Sequence, residues 1–100
     1  MDAHKSVFRH IVFIVPKDGA LCDEIIRRMK ALGQGVAGLR TWVIVESKDT
    51  RKGRFVIEDS TFESEGAFLG FRLSQPHREF TNFLKDVADW RVGDYDYSET

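Results

Sequence analysis

A chain of 100 residues is long enough for one domain and excludes a catalytic domain with a separate regulatory domain. Fifteen Lys and Arg against sixteen Asp and Glu give a net charge of −1, which argues against nucleic-acid or anionic-membrane binding. Hydrophobic residues make up 42% of the chain, too many for a disordered protein. A monomer of this size hides only about 65% of the surface of its unfolded chain, so a second copy is one source of further burial.

The single cysteine, Cys22, excludes an intrachain disulfide and a cysteine-based zinc site, and it favours a reducing, cytoplasmic setting. The apolar run over 11–15 is too short to span a membrane. The polar start over 1–6 lacks the layout of a signal peptide. We therefore expect a cytoplasmic protein that forms one domain over 1–100, with its core over 7–97.

The first predicted element is a strand over 7–15, where β-branched and aromatic residues run up to Pro16. Side chains alternate between the two faces of a strand, and here both sets are mainly apolar. His10 lies in one set, and Ile11 and Phe13 lie in the other. A strand with one face in water alternates apolar and polar residues more cleanly. Each face of this strand therefore needs a cover.

A helix is predicted from about Gly19 to Gly33, with Asp18 as its N-cap. Its apolar residues recur at helical spacing, at Leu21, Ile25, Met29 and Leu32. This helix can cover one face of a sheet. The Gly-rich segment 33–38 then leads to a β-hairpin, with strands over 40–46 and through Asp59 joined by a charged turn over 47–53.

A second helical region opens at Ser64 and is interrupted near Pro76, which suits the first turn of a new helix. The new helix runs to about Asp89, and His77 lies on its apolar side. The segment 90–97 alternates enough to form a final strand.

The order is therefore β-α-β-β-α-β with the second helix broken, the arrangement of ferredoxin-like α+β folds with a four-stranded antiparallel sheet. The helices cover one face of that sheet. The other face remains apolar or aromatic, which is unusual on a monomer. The simplest cover is a second copy packed sheet to sheet, because a two-fold pair reuses one patch.

Several short pieces with a distinctive order and spacing extend over about 9–97. These pieces are 9–12, 33–38, 61–64, 76–80 and 94–95. Together they resemble the stress-responsive A/B barrel domain (Dabb) family of the dimeric α/β barrel superfamily. The resemblance implies a ferredoxin-like subunit that dimerises into an α/β barrel, and it implies no single reaction. We predict no cofactor.

Two histidines match positions that plant polyketide cyclases of that family use. His10 matches a histidine of the first strand, and His77 matches one that follows the Pro of the broken helix. The other strand histidine falls at Val56, and an assisting helix tyrosine falls at Phe71, so the match is partial. The resemblance implies an acid/base pair, in which His77 is the base and His10 is the donor or positioning residue.

Each histidine also has a structural interpretation. His77 either shuttles a proton near neutral pH or bonds a backbone group that fixes the broken helix. His10 is more readily explained as a satisfied polar group within the sheet than as a partner in a two-histidine pocket. His4 lies in the polar N-terminal arm, and no pair of histidines has metal-site spacing, so no metal is predicted.

An apolar pocket for a small apolar or aromatic ligand is predicted from five residues, most of which would serve equally well in the core. They are Trp42, Phe55, Val56, Phe68 and Phe71. Two functions follow from different classes. One is a homodimeric small-ligand binding or stress-response module without chemistry of its own, and the other is an acid/base enzyme of the polyketide-cyclase or lyase kind. A third reading is a dimer that oxidises haem or small aromatics.

Overall fold

The computed structural model describes the backbone of residues 5–99 and the side chains of residues 6–98, so His4 lies outside the described residues. The described chain is an α+β fold whose elements follow the predicted order. They are β1 (Lys5–Pro16), α1 (Cys22–Leu32), β2 (Leu39–Glu46), β3 (Val56–Phe62), α2 (Glu65–Arg72), α3 (Gln75–Val87) and β4 (Ala88–Glu99). A short 3₁₀ turn over Gly19–Leu21 precedes α1.

The strands form one antiparallel sheet in the order β2-β3-β1-β4. This is the ferredoxin-like topology, and the predicted fold class is confirmed. Strand β1 lies inside the sheet and pairs with β3 on one side and β4 on the other. The helices cover one face of β1, which accounts for one apolar side-chain set, while Phe13 and Val15 of the other set stay about half exposed.

Strands β3 and β4 extend beyond the ranges that the sequence predicts. Strand β3 continues past Asp59 to Phe62, because its last residues pair with both β1 and β2. Strand β4 begins at Ala88, directly after α3, and pairs with β1 along its whole length. Residue propensities alone predict shorter strands, whereas pairing with β1 extends both of them.

Side-chain caps fix the helix starts. The carboxylate of Asp18 accepts a hydrogen bond from the N–H of Ala20, at 2.9 Å, and begins the turn before α1. The hydroxyl of Ser64 caps α2. At the break between α2 and α3, the hydroxyl of Ser74 accepts from the N–H of His77 at 3.4 Å, and a proline occupies the first turn of α3. The break therefore orients the residues that begin α3.

The helices pack on one face of the sheet and bury two apolar clusters there. The first contains Val12, Ile14, Cys22, Ile25, Met29, Ile44, Val56, Leu84 and Ala88. The second contains Phe8, Phe62, Phe68 and Phe71. Trp42 packs against both clusters, and its indole N–H donates to the carbonyl of Met29 at 2.9 Å. A Cβ atom at Gly33 would lie 2.3 Å from the Trp42 ring, so this close approach requires glycine.

The other face of the sheet, called the open face below, carries apolar side chains that the helices do not cover. Phe13 and Val15 of β1 and Val43 and Val45 of β2 are each between 45% and 48% exposed. The predicted surplus of apolar residues therefore lies on this face. No helix of the described residues has the length and apolar character needed to cross a membrane.

Candidate functional site

His10 lies on the helix-covered face of the sheet and is 5% exposed. Its neighbour across the β1–β4 pairing is Asp94, and the register brings the Nδ1 atom of His10 within 2.5 Å of the Oδ1 atom of Asp94. The carboxylate accepts a hydrogen bond from this nitrogen, which assigns a proton to Nδ1. The second ring nitrogen, Nε2, therefore points away from Asp94 and into the sheet–helix interior.

A second carboxyl group lies on the far side of the His10 ring. Glu58 of β3 is 5% exposed, and its Oε2 atom lies 3.5 Å from Nε2 of His10. The hydroxyl of Ser60 lies 3.1 Å from the same Oε2 atom and 2.9 Å from the His10 carbonyl oxygen. His10 thus lies between two carboxyl groups, one on β4 and one on β3.

His77 of α3 is partly buried, and its ring makes an edge contact with the ring of Phe71, with centroids 4.9 Å apart. Within residues 6–98, neither ring nitrogen of His77 has a hydrogen-bond partner. The backbone N–H of His77 binds the Ser74 hydroxyl, so the backbone of this residue supports the helix break while the imidazole stays available.

Burial lowers the pKa of both histidines below the ordinary value of 6.5. For His10, burial outweighs the hydrogen bond and the charge of Asp94, which favour the protonated ring. For His77, burial is the main cause, and the charges of His10 and Arg72 add to it. Both rings are therefore neutral at pH 7, and a neutral imidazole can accept a proton.

The two histidines line the same cavity, although 67 positions separate them in the chain. This cavity has a volume of about 240 Å³, and its walls are His10, Phe68, Arg72, His77, Val92 and Asp94. The Phe68 ring packs against the His10 ring in a tilted arrangement, with centroids 4.4 Å apart. Both histidines also line a smaller cavity of about 60 Å³, in whose wall Glu58 lies. We call the larger space the histidine cavity.

A third cavity of about 720 Å³ lies at the end of the helix layer, beside the loop that follows α1. The Gly-rich segment 34–38 forms one wall, and Ala67 and Phe71 lie in another. Phe71 stands between this cavity and His77, which its ring contacts. Titratable groups converge on the histidine cavity and not on this larger one, so the histidine cavity is the candidate site.

The five predicted pocket residues divide between different places. Phe68 lines the histidine cavity, and Phe71 lies against His77. Trp42 and Val56 belong to the apolar core and line none of the three cavities described above. Phe55 packs on the open face against Phe13, with ring centroids 5.6 Å apart, and it lines none of these three cavities. Phe55 directly precedes Val56, the first residue of β3. Neighbouring side chains of a strand point to opposite faces, so Phe55 and Val56 lie on different sides of the sheet.

Sequence reasoning did not single out Glu58, Ser60 or Arg72. The signal for the first two was the period-two alternation of β3, which places residues 58 and 60 on the same face as Val56 and Phe62. Ending the strand at Asp59 hid this alternation. Arg72 carries no sequence signal of its own, because its place beside the cavity depends on where α2 ends.

Metal-ligating side chains do not form a metal site in the described part of the chain: residues 6–98 contain no group of three or more His, Cys, Asp or Glu side chains arranged to hold an ion. Cys22 is fully buried, and burial raises the pKa of its thiol. The chemistry available at the histidine cavity is therefore that of imidazole, carboxyl, hydroxyl and guanidinium groups.

No family model and no curated protein matches the sequence. Solved structures do match the fold. Hydroxynitrile lyase from Passiflora edulis shares 24% identity, with a TM-score of 0.71 over 94% of each chain. The cofactor-independent oxygenase SnoaB from Streptomyces nogalater shares 14% identity, with a TM-score of 0.73 over 96% of each chain. A dimeric ferredoxin-like protein of unknown function from Bacteroides fragilis shares 13% identity, with a TM-score of 0.77 over 91% of this chain and 96% of that one. At these identities the matches establish the fold alone.

Proposed function

We propose that the protein is a homodimeric small-ligand binding module of the Dabb type, with its ligand in the histidine cavity. The observation that carries this proposal is the convergence of His10, His77, Arg72 and Phe68 on one cavity between the sheet and the helices. Such a cavity offers an aromatic wall and a few polar groups, the combination that small-molecule sites use. Its volume of about 240 Å³ suits a molecule of one small ring.

The dimer forms through the open face. Phe13, Val15, Val43 and Val45 supply an apolar centre that a second copy would cover, and a two-fold axis would bury the same patch on both chains. The name of the Bacteroides fragilis protein describes a dimer of the same fold. Sedimentation velocity at micromolar concentration tests this: we expect a species of twice the chain mass, and a monomer would contradict the proposal.

The ligand is a small aromatic or oxo compound with an anionic or hydrogen-bonding oxygen. Phe68 offers a ring face, and Arg72 and the histidines offer partners for oxygen. Benzoate and acetophenone are suitable probes, followed by the ring resonances of both histidines in solution. We expect both histidines to respond to a probe that binds, and the response to disappear in Phe68→Trp, which fills the cavity. Probes that bind without affecting either histidine would contradict this site.

A second candidate function is acid/base catalysis of the cyclase or lyase kind, and it is favoured by the ring nitrogens of His77, which have no hydrogen-bond partner among residues 6–98. An aldol-type cyclisation needs a base that removes a proton next to a carbonyl group and a donor that holds the oxygen. His77 is the base in this scheme, and His10, fixed by Asp94, is the positioning residue.

Substitution separates the two functions once a substrate is in hand. We expect His77→Ala to lower turnover by at least about 100-fold, because it removes the base. Arg78→Ala, on the next position of α3 and exposed, is the matched control and leaves turnover unchanged. If His77→Ala and His10→Ala both keep full turnover, the catalytic assignment is wrong and the binding module stands alone.

A further inference from the structure

Glu58 is a buried acidic residue without a cationic partner. It lies on the helix-covered face of β3, and among residues 6–98 no Lys or Arg forms an ion pair with it. The groups that face it are His10 from β1, Asp94 from β4 and Ser60 from its own strand, while His77 of α3 lies in the wall of the same 60 Å³ cavity. A carboxylate in such surroundings is costly, and the group keeps its proton instead.

The electrostatics agree with this geometry. Burial raises the pKa of Glu58 to about 8, the negative charge of Asp94 raises it as well, and the Ser60 hydroxyl opposes the rise. At pH 7 Glu58 is therefore a carboxylic acid. The two carboxyl groups beside His10 then differ in state: Asp94 accepts a hydrogen bond from the N–H at Nδ1, and Glu58 holds a proton of its own opposite the unprotonated Nε2.

We propose that Glu58 and His10 share one proton across the gap between Oε2 and Nε2, and that a ligand oxyanion in the histidine cavity moves this proton from Glu58 to His10. In this step the O–H bond of Glu58 breaks, an N–H bond forms on His10, and the net charge of the pair stays zero. The product is a glutamate–imidazolium pair. The imidazolium lies in the cavity wall, next to the oxyanion, and the carboxylate stays behind it against the Ser60 hydroxyl.

The cavity favours such a response to negative charge. Arg72 lies in its wall together with Asp94, and the guanidinium charge attracts an anion. In the free protein the neutral pair is favoured, because burial raises the pKa of Glu58 to about 8 and lowers that of His10 below its ordinary 6.5. A bound oxyanion stabilises the imidazolium by direct attraction, and it needs no proton from solvent. Glu58 thus acts through His10, as a positioning residue that stores a proton.

This inference rests on the proposed ligand site, but its first test needs no ligand. The ring nitrogens of ¹⁵N-labelled protein are followed by NMR from pH 6 to pH 9.5 in the wild type, in Glu58→Gln and in Glu58→Asp. Gln is neutral and has the shape of the carboxylic acid, so the fold is retained. We expect the Nε2 resonance of His10 to shift near pH 8 in the wild type, to stay constant in Glu58→Gln, and to shift again in Glu58→Asp. Identical curves in the wild type and Glu58→Gln overturn the shared proton.

The second test adds a probe. Benzoate carries an aromatic ring and an oxyanion, and benzyl alcohol is its neutral control. At pH 7 we expect saturating benzoate to move the His10 Nε2 resonance toward the imidazolium position in the wild type, by at least about threefold more than in Glu58→Gln, and benzyl alcohol to leave it unchanged. A benzoate response equal in both proteins overturns the ligand-driven transfer. No response at either His10 or His77 overturns the ligand site itself, whatever the pH titration gives.

Discussion

The two faces of the sheet differ in what they bury. The helix-covered face buries a cluster of three polar residues, His10, Glu58 and Ser60, each of which is at most 5% exposed. The open face carries Phe13 and Val43, each 45% exposed. The helix-covered face also buries the two apolar clusters, so each face departs from the usual pattern of apolar side chains inside and polar ones in water only at these positions.

These departures indicate that each face has a use beyond folding. Buried polar groups are retained only where hydrogen bonds satisfy them, and the contacts among His10, Asp94, Glu58 and Ser60 do so. An apolar face of this extent is stable in water when another surface covers it. The helix-covered face therefore suits a ligand, and the open face suits a second copy of the chain.

The largest expected effect is on the open face. We expect Phe13→Glu to raise the dimer dissociation constant by about 1000-fold, about 4 kcal/mol, because a two-fold interface contains the new charge twice and each copy costs about 2 kcal/mol. Sedimentation velocity over a dilution series measures this constant. The folded monomer loses little, since Phe13 is already 45% exposed.

Leu73→Glu is the matched control for this substitution. Leu73 is 67% exposed at the end of α2, so it places the same charge on an exposed apolar position outside the open face. We expect it to leave the dissociation constant unchanged. Equal weakening by both variants would mean that the open face is not the interface.

The next effect compares the two histidines. We expect His10→Ala to lower the free energy of unfolding by about 3 kcal/mol, because it leaves a cavity beside Phe68 and removes the hydrogen bond to Asp94. His77→Ala should cost about 1 kcal/mol, since its ring is partly buried and has no hydrogen bond within residues 6–98. Urea denaturation at one fixed protein concentration measures both. The reverse order of stability would contradict the assignment of His10 as the fixed ring and His77 as the free one.

The fold was predictable because its signals are local. Asp18, Ser64 and Pro76 mark helix starts by the chemistry of their own side chains and backbone, and the structure uses all three in that way. The strand ends were less predictable. Phe62 extends β3 because β1 and β2 pair with it, and pairing partners are far away in the sequence.

The candidate site was predictable only in part. His10 and His77 stand out because histidine is rare on an apolar side of a strand or helix. Glu58 does not stand out in VIEDSTF, where four polar residues follow one another and only the pairing register decides which of them are buried. The pairing of His10 with Asp94 likewise depends on the β1–β4 register, which the sequence does not specify.

A smaller effect is the pH dependence of stability. The pKa of Glu58 is raised from its usual 4.5 to about 8, so over this range the folded protein holds a proton that the unfolded chain has released, and stability falls as pH rises. The lowered pKa values of His10 and His77 act in the opposite sense, and only below pH 6.5. From pH 6.5 to pH 8 we therefore expect the wild type to lose about 2 kcal/mol relative to Glu58→Gln. Parallel stability curves for the two proteins would show that Glu58 ionises normally.

The smallest expected effect concerns the hydrogen bond between Ser60 and Glu58. The Ser60 hydroxyl lies 3.1 Å from Glu58 and lowers the pKa of that carboxyl, so Ser60→Ala should raise this pKa further, extend the fall in stability to higher pH, and cost about 1 kcal/mol. Thr61→Val removes a hydroxyl from the next residue, which faces the open side. It should leave the pH range over which stability falls unchanged. Stability measured against pH in both variants gives the comparison. If Ser60→Ala also leaves this pH range unchanged, the hydroxyl bonds only the His10 carbonyl. The hydrogen-bonded cluster on the helix-covered face then consists of His10 and its two carboxyl neighbours alone.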